Sequence, residues 1–313
     1  MLNYLNPYFY IIFIRNFFYD KNFFKSYKLS VPVISIGNLS VGGTGKTSIV
    51  RYLCENLADN FHIGILSRGY KRKSKGTLIV SYMGKIQENW ERVGDEPFLL
   101  AKIFEKKGLQ ISIVVDENRV RGGEKAIKEL GVNLIILDDG FQHRRLKRDL
   151  DIVLIKKEDL ENKILPFGKL REPLTSLKRA DAIVLTYQDY QPFDYSFNDK
   201  PIFKLYRKNW RVLNHRLEEI NPGDKEFIAF CGLGDNRQFF ITLKRLNLKI
   251  KKMISFPDHY DYSNFTLSPD ESYITTLKDG IKLEFKENLF FLDFSIEVKG
   301  LKEFILKRLE LSV

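Results

Sequence analysis

Short apolar runs alternate with longer stretches of helical periodicity from residue 31 onward. The runs are rich in β-branched residues and almost continuous, as expected for strands that helices cover on both faces of a parallel sheet. Six of them come first along the chain: Val33–Ile36, Ile63–Leu66, Ile111–Val115, Leu134–Leu137, Ile152–Ile155 and Ala182–Thr186. The pattern predicts an α/β/α domain built on a doubly wound parallel sheet.

A second, shorter α/β series follows a region in which this periodicity is lost. Residues 187–224 are rich in aromatic and polar side chains, and Pro201–Leu213 within them is expected to form one hairpin. Strands are predicted at Phe227–Cys231, Ile250–Phe256, Tyr273–Thr276 and Phe290–Phe294. Helices are predicted near Arg237–Leu246 and Gly300–Leu309. We therefore expect a first domain at 29–186, a linker at 187–224 and a smaller α/β domain at 225–313.

The amino-terminal segment, residues 1–28, is predicted to form an amphipathic aromatic helix. Asn6 can cap this helix with Pro7 at its first position. Three phenylalanines then share one face at four-residue spacing: Phe9, Phe13 and Phe17. Two alternatives remain open for such a helix, which either lies on a membrane surface or packs on the neighbouring domain.

The same segment lacks the features of a span or of a signal peptide. The apolar run Tyr8–Ile14 is much shorter than the roughly 20 residues that a membrane span needs, and no basic cluster or cleavage site flanks it. Arg15 and the nearby lysines could instead pair with lipid phosphates while the rings enter the headgroup region. The segment is therefore expected to touch an anionic membrane without crossing it.

Overall charge narrows the class of partner only in part. The 313 residues hold 51 Lys and Arg against 40 Asp and Glu, which gives a net charge of +11. This excess favours an acidic partner, such as nucleic acid, anionic lipid or a phosphorylated substrate. Cys54 and Cys231 have no metal-ligand spacing, so two reduced, buried thiols are expected.

A phosphate-binding loop is the strongest chemical motif in the chain. Val33 to Ser48 runs as strand, glycine-rich turn and helix, which is the context that such a loop requires. Lys46 is placed to reach the terminal phosphates of ATP, and the Thr47 hydroxyl is placed to bind Mg²⁺. Ser40 stands where the usual signature has its first glycine. The sequence predicts a P-loop NTPase-like fold whose nucleotide-binding residues are Gly42, Gly43, Thr44, Gly45, Lys46, Thr47 and Ser48.

Two adjacent carboxylates are the predicted metal ligands. Asp138 and Asp139 follow the apolar run Leu134–Leu137, and ligands of open α/β sheets bind at the carboxyl ends of the strands. A cation held there can neutralise charge during phosphoryl transfer. The alternative for this Asp-Asp-Gly sequence is an ordinary capping turn.

Three further polar segments lie at loop positions: Ser67–Lys73, Gly94–Pro97 and Phe141–Arg145. The two basic ones could hold an anionic substrate or could simply be solvated. Asp95 could be catalytic, or it could only start a helix, since acidic residues favour that end of the helix dipole.

Taken together, these segments resemble the tetraacyldisaccharide 4′-kinases of lipid A biosynthesis over nearly the whole chain. The residues that carry the resemblance are Val31–Asn38 with Gly42–Thr47, Ser67–Tyr70, Gly94–Pro97, Asp138–Arg144, Leu170–Pro173, Phe256–Tyr260 and Thr275–Asp279. The resemblance implies a P-loop α/β/α kinase domain, a smaller α/β domain, a two-stranded linker and a membrane-facing amino-terminal helix.

The resemblance also implies roles for individual residues. Asp95 would be the base that deprotonates the sugar 4′-hydroxyl, and His259 of the smaller domain would orient it. Glu172 would be a further acid near the metal. Gln142 and His143 would line the site or support it, and Lys278 and Asp279 would contact the nucleotide or take part in domain closure. The predicted catalytic set is therefore Asp95, His259 and Lys46, and the predicted metal set is Thr47, Asp138, Asp139 and Glu172.

The resulting expectation is an ATP- and Mg²⁺-dependent kinase at the cytoplasmic face of the bacterial inner membrane, bound peripherally. Its substrate would be an acylated glucosamine disaccharide 1-phosphate. One alternative is a P-loop switch or partitioning ATPase, which needs no base directed at a sugar. A nucleic-acid-binding protein is supported only by the net charge, because the sequence has no motif typical of that class, and no nucleic-acid partner is expected.

Overall fold

The computed structural model describes residues 6–310, which belong to two units. The first unit is formed by Met1–Arg207 and Ile296–Val313, and the second by Lys208–Ser295. Residues 1–5 of the predicted amino-terminal segment lie outside the described residues. The division differs from the predicted domains, because the second unit begins before residue 225 and the chain returns to the first unit at its end.

The first unit alternates strands and helices along most of its length. Its strands are β1 (Val33–Asn38), β2 (Ile63–Ser67), β3 (Leu78–Tyr82), β4 (Lys85–Ile86), β5 (Ser112–Val115), β6 (Leu134–Asp138), β7 (Leu150–Ile155), β8 (Ala182–Leu185) and β9 (Ile202–Lys204). Its helices are α1 (Pro7–Asp20), α2 (Lys46–Leu57), α3 (Trp90–Val93), α4 (Asp95–Lys107), α5 (Arg119–Leu130) and, by chain order, α8 (Leu301–Glu310). Short 3-10 turns lie at Lys157–Leu160 and Leu174–Arg179.

The strands of this unit form one sheet in the order β4-β3-β5-β2-β6-β1-β7-β8-β9. Every pairing from β5 to β9 is parallel, whereas β3 pairs antiparallel with both β5 and β4 at the edge. The central strands β1, β2, β6 and β7 are buried along their full length. Burial on both faces explains why these segments read as unbroken apolar runs in the sequence.

The second unit has a mixed sheet of its own. Its elements are β10 (Tyr206–Leu213), β11 (Glu219–Ile220), β12 (Glu226–Cys231), α6 (Asn236–Arg245), β13 (Lys249–Ser255), β14 (Tyr273–Thr276), α7 (Leu277–Gly280) and β15 (Leu289–Glu297). The strand order is β11-β10-β15-β14-β12-β13. Its core is rich in aromatic rings, with Phe227 and Phe290 in edge-to-face contact at 5.4 Å between ring centroids.

Two expectations about the linker and the chain end need correction. The hairpin expected at Pro201–Leu213 does not form, because β9 adds to the first sheet in parallel with β8 while β10 belongs to the other sheet. The carboxy-terminal helix α8 belongs to the first unit rather than to the smaller domain. It follows Val298, whose carbonyl accepts a hydrogen bond from Tyr52 at 3.4 Å, and Phe304 packs on Phe203 at 5.4 Å.

Helix α1 begins as the sequence predicts. The Asn6 side chain accepts a hydrogen bond from the Tyr8 amide at 3.0 Å, and Pro7 occupies the first helical position. None of the helices within residues 6–310 has the length and apolar character needed to cross a bilayer. Both cysteines are buried and free, as expected.

Candidate active site

The phosphate loop joins β1 to α2 at the carboxyl edge of the sheet. Gly42 and Gly45 have φ of 93° and 85°, a left-handed region in which a side chain would be strained. Helix α2 starts at Lys46 with Gly45 as its cap and has no side-chain cap. Its first N–H groups therefore point into the loop, where helix geometry favours a bound phosphate.

Asn38 fixes the shape of this loop from within the protein. Its side chain is fully buried, and its amide nitrogen donates to the Ser40 carbonyl at 2.7 Å and to the Thr44 hydroxyl at 2.9 Å. Its amide oxygen accepts a hydrogen bond from Lys46 Nζ at 3.2 Å. One side chain thus connects both limbs of the loop with the lysine that the sequence assigns to the terminal phosphates.

Asp138 and Asp139 lie where β6 ends, beside the loop. Lys46 Nζ is 3.4 Å from Asp139 Oδ1, and Arg171 Nη1 is 2.8 Å from Asp139 Oδ2. Asp138 is 5% exposed and accepts a hydrogen bond from the Ser67 hydroxyl at 3.2 Å. The predicted phosphate-binding lysine and the two predicted metal acids therefore meet at one edge of the sheet.

The pKa values of the two neighbouring carboxyl groups are shifted in opposite directions. Burial, together with the nearby charges of Glu96 and Asp139, raises the pKa of Asp138 to about 7. Burial also works to raise the pKa of Asp139, but Lys46 and Arg171 outweigh it and hold that pKa below its ordinary value. At neutral pH the site therefore has one firmly ionised carboxylate and one that a cation would help to ionise.

These residues fit a Mg²⁺ ion that also binds nucleotide oxygens. Asp138 Oδ1 is buried and has no hydrogen-bond partner in the described structure, which leaves it available to a cation. Residues 6–310 contain no group of three or more His, Cys, Asp or Glu side chains arranged as a complete metal cage. Mg²⁺ usually takes only one or two carboxylates and completes its shell with water and phosphate.

Glu172 does not lie in this acidic pair. Its carboxylate is fully buried and accepts hydrogen bonds from Arg15 at 3.1 Å, Asn16 at 3.0 Å and Arg179 at 2.9 Å. Three protein donors thus occupy both oxygens of the acid that was expected beside the metal. The structure therefore shows Glu172 engaged with protein donors, and the places of Thr47, Asp138, Asp139 and Glu172 in a metal site stay predictions.

Asp95 opens helix α4 and is 6% exposed. Its Oδ1 accepts the Glu96 amide at 2.9 Å, which is the helix-start role that the sequence left open. A Cβ atom on Gly94 would lie 3.1 Å from the Tyr70 carbonyl, so the Asp95 turn packs closely against the Ser67–Tyr70 loop. Since Ser67 also contacts Asp138, two of the expected polar loops come together at the same end of the sheet.

His143 lies among arginines behind the two aspartates. Burial lowers the pKa of His143 to about 4, together with the positive charges of Arg119, Arg148, Arg145 and Arg68. The ring is therefore neutral at physiological pH, and its Nε2 has no hydrogen-bond partner in the described structure. Gln142, its neighbour, donates to the Asn38 carbonyl at 2.9 Å and so supports the strand that leads into the phosphate loop.

The residues expected from the smaller domain lie in the second unit. His259 has φ of 60°, and its Nε2 is 3.3 Å from Lys278 Nζ. Asp279 is fully buried and accepts hydrogen bonds from the Gly232 amide and the Thr276 hydroxyl at 3.0 and 2.8 Å. Asp279 therefore stabilises the interior of this unit, while the histidine and lysine are close neighbours.

Comparison with known proteins identifies the family. The family described as tetraacyldisaccharide-1-P 4′-kinase, LpxK, matches residues 5–310. The tetraacyldisaccharide 4′-kinase of Aquifex aeolicus is 54% identical and is matched over 92% of this chain and 91% of its own. That of Koribacter versatilis is 37% identical, over 86% and 84%. This chain belongs to the tetraacyldisaccharide 4′-kinase family.

A solved structure of the same family confirms the predicted fold class. The crystal structure of Aquifex aeolicus LpxK in complex with ATP superposes with a TM-score of 0.88 at 52% identity. The match covers 99% of this chain and 96% of that one. The large parallel sheet, the smaller second sheet and the amino-terminal helix of this LpxK family member are therefore those expected from its sequence.

Two residues in the kinase site received no role from the sequence. Asn38 and Arg171 both lie in the motifs that carry the family resemblance, yet their partners Lys46 and Asp139 are not adjacent to them in sequence. A polar residue closing an otherwise apolar strand, just before a phosphate loop, is the signal that could have identified Asn38. Arg171 had no such signal, since its contact with Asp139 depends on tertiary structure.

Proposed function

We propose that this kinase transfers the γ-phosphoryl group of ATP to the 4′-hydroxyl of a tetraacyldisaccharide 1-phosphate during lipid A biosynthesis. The observation that carries the proposal is the meeting of Lys46, the phosphate loop and the Asp138–Asp139 pair at one edge of the sheet. Phosphoryl transfer depends mainly on positioning and on charge stabilisation, and these groups provide both.

Each residue at this edge has a separate part in the proposed reaction. Lys46 binds the terminal phosphates, and the amides at the start of α2 surround them. Thr47, Asp138 and Asp139 would hold Mg²⁺, which supplies neutralisation of the charge on the phosphate oxygens. Arg171 Nη1 orients Asp139 by contacts of 3.0 and 2.8 Å to its two oxygens, and with Lys46 it holds the pKa of Asp139 below its ordinary value.

We assign the base to Asp95, which would take the proton of the attacking sugar hydroxyl. Support comes from its place at the start of α4, packed against the Ser67–Tyr70 loop, and from the family resemblance. The resemblance assigns to His259 the orientation of this carboxylate, and that role remains a prediction. A general base of this kind typically contributes about 10²–10⁴-fold to the rate.

The decisive experiment follows labelled γ-phosphate from ATP into detergent-dispersed tetraacyldisaccharide 1-phosphate. We expect the unaltered chain to form labelled lipid, and we expect Lys46→Ala and Asp95→Asn to lower kcat by at least about 100-fold. Glu105→Gln is the matched control, because it neutralises an exposed acid on the same helix α4. ATP consumption without labelled lipid, and without sensitivity to Asp95→Asn, would instead support a switch ATPase.

We further propose that α1 attaches the enzyme peripherally to the cytoplasmic surface of the inner membrane. Its polar side chains face the protein, whereas its exposed face is apolar: Tyr10, Ile11, Phe13, Ile14 and Phe17 are between 44% and 63% exposed. Exposed lysines follow the helix at positions 21, 25 and 28. Apolar side chains flanked by cations are typical of helices that lie in an anionic interface.

Flotation with anionic vesicles tests this attachment. Roughly half of Phe13 and of Phe17 is exposed, so burying either side chain in the bilayer would contribute about 1 kcal/mol to the free energy of membrane binding. Replacing both by serine should then weaken binding by about thirtyfold, while Tyr82→Ser, at an exposed tyrosine of β3, should leave it unchanged. Equal flotation of all three proteins would exclude α1 as the attachment site.

A further inference from the structure

Residues 171 and 172 lie where α1, the phosphate loop and the acidic pair meet. The Arg171 amide donates to the Leu39 carbonyl at 2.6 Å, and its own carbonyl accepts a hydrogen bond from Tyr8 of α1 at 3.2 Å. Its guanidinium holds Asp139 at 2.8 Å. A shift of this residue would therefore disturb the loop and the carboxylate together.

Glu172 connects the same point to the middle of α1. Its buried carboxylate accepts from Arg15 and Asn16 of α1, and also from Arg179. Arg179 in turn stacks on the ring of Phe141 at 4.4 Å, only two residues after Asp139 in the chain. Arg171 therefore contacts one end of the Asp139–Phe141 turn, and Glu172 is connected to the other end through Arg179.

We propose that Arg15 and Glu172 are positioning residues that couple the seating of α1 to the placement of Arg171 and Asp139. The proposal rests on the proposed function only for the role of Asp139 in binding Mg²⁺ and nucleotide. It gives Glu172 a role other than that of a metal ligand, and it makes the amino-terminal helix part of the support of the active site.

The burial of Glu172 is the physical reason for this coupling. A carboxylate with no exposed surface needs charged or polar donors close by, because water cannot replace them. Two of its three donors come from α1, so displacement of the helix would leave the charge with Arg179 alone. The chain at residues 171–172 would then rearrange to reach other donors, and Arg171 would move with it.

The same helix carries the exposed apolar face described above, on the side opposite these polar contacts. Arg144 adds a second attachment, donating to the Asn16 carbonyl at 3.0 Å and to Asp20 at 2.7 Å. Asp20 therefore offers a matched control on α1. Its replacement removes one contact at the end of α1 and leaves the bonds of Arg144 to the Asn16 carbonyl and of Arg15 and Asn16 to Glu172 in place.

The experiment compares Arg15→Gln, Glu172→Gln, the double variant and Asp20→Asn in the full chain. Calorimetry in the absence of lipid acceptor measures the Kd of Mg·ATP, and hydrogen exchange measures protection of residues 37–46 and 165–172. We expect Arg15→Gln to raise the Kd by about two- to thirtyfold and to speed exchange in both segments. The double variant should bind no more weakly than the weaker single variant, and Asp20→Asn should match the unaltered chain.

Two results would overturn the coupling. If Glu172→Gln weakens Mg·ATP binding while Arg15→Gln does not, the acid acts on the metal directly. If both variants lower Tm without changing Kd or exchange near the loop, the ion pair only stabilises the fold. Arg15 is partly exposed, so its replacement leaves a folded protein for these measurements even if Glu172→Gln does not. Neither readout requires the lipid acceptor, so failure of the proposed phosphoryl transfer would be seen separately.

Discussion

Replacement of Asn38 by alanine tests whether the phosphate loop is shaped from inside the protein. The substitution removes three hydrogen bonds at once, to the Ser40 carbonyl, the Thr44 hydroxyl and Lys46 Nζ. Ser40 and Thr44 are buried, so water cannot readily take the place of the lost amide. Both a loss of stability and a loss of nucleotide affinity should follow.

The size of both losses follows from these contacts. A buried polar group left without a partner costs about 1–3 kcal/mol, and the loop can relax enough to spare part of the cost of two such groups. We therefore expect the free energy of unfolding to fall by about 2–4 kcal/mol, or about 5–15 °C in Tm for a unit of this size. Loss of the restraint on Lys46 should raise the Kd of ATP by about tenfold, which corresponds to about 1.4 kcal/mol.

Thermal unfolding and calorimetric titration with Mg·ATP measure the two effects separately. Asn56→Ala is the matched control, since that amide donates to the Tyr52 carbonyl within α2, at 2.8 Å, and to nothing else among residues 6–310. A normal Kd with a lowered Tm would show that Asn38 merely fills space beneath the loop. Unchanged values of both would refute the account of the loop given above.

Two further predictions concern groups whose pKa is shifted. His143 has a pKa of about 4 when folded against about 6.5 when unfolded, so the unfolded chain binds more protons and stability falls as pH drops from 6.5 to 4. Denaturant unfolding at pH 7 and pH 5 measures the loss of stability between the two values. That loss should be about 1–2 kcal/mol smaller for His143→Gln than for the unaltered chain, a figure that allows for the partial exposure of the ring; equal losses would contradict the shift. Burial works to raise the pKa of Asp116, but hydrogen bonds from Arg121, Thr77 and the Asn118 amide hold it below its ordinary value. Asp116→Asn should therefore lower the free energy of unfolding by about 1.5–3 kcal/mol at neutral pH. The difference in stability between the variant and the unaltered chain should disappear as pH falls through the pKa of folded Asp116. A difference that persists in acid would mean that the substitution removes packing and not charge.

The sequence predicted most of the first sheet because burial on both faces leaves a local record. Strands β1, β2, β6 and β7 are unbroken apolar runs, and their predicted positions agree with the structure to within about two residues. Strand β3 has a weaker apolar pattern, since it is only partly buried and lies next to the two-residue edge strand β4. Strands near the edge of a sheet pair through backbone groups, which side-chain patterns report poorly.

The return of the chain to the first unit left no local signal at all. The apolar periodicity of helix α8 would be the same whether it packed on one sheet or on the other. The sequence-based prediction therefore assigned this helix to the smaller domain, which was expected to run to residue 313. The same limit applies to β9 and β10, which look like neighbours along the chain but pair in different sheets. Pairing partners are decided by tertiary contacts, and periodicity reports only which face of an element is buried.

The acidic residues show the same division between local and distant information. Asp138 and Asp139 could be found because a strand and a phosphate loop fix their position in any open α/β sheet. Glu172 also lies in a specific motif, yet its surroundings are Arg15, Asn16 and Arg179. Only the fold shows that Glu172 has protein donors on both oxygens, whereas Asp138 Oδ1 has no hydrogen-bond partner among the described residues.

Arg15 changes the interpretation of the amino-terminal helix most. The sequence placed it among the cations that would pair with lipid phosphates, but the structure directs it inward to a buried carboxylate. Under the proposed attachment, the positive charge for a membrane comes from Lys21, Lys25 and Lys28, beyond the helix, so we expect the carboxyl end of α1 to meet anionic headgroups while its middle meets acyl chains. The proposed attachment and the proposed coupling use one helix, because Arg15 and the exposed phenylalanines both belong to α1; together they predict that attachment to lipid and order at Asp139 are linked.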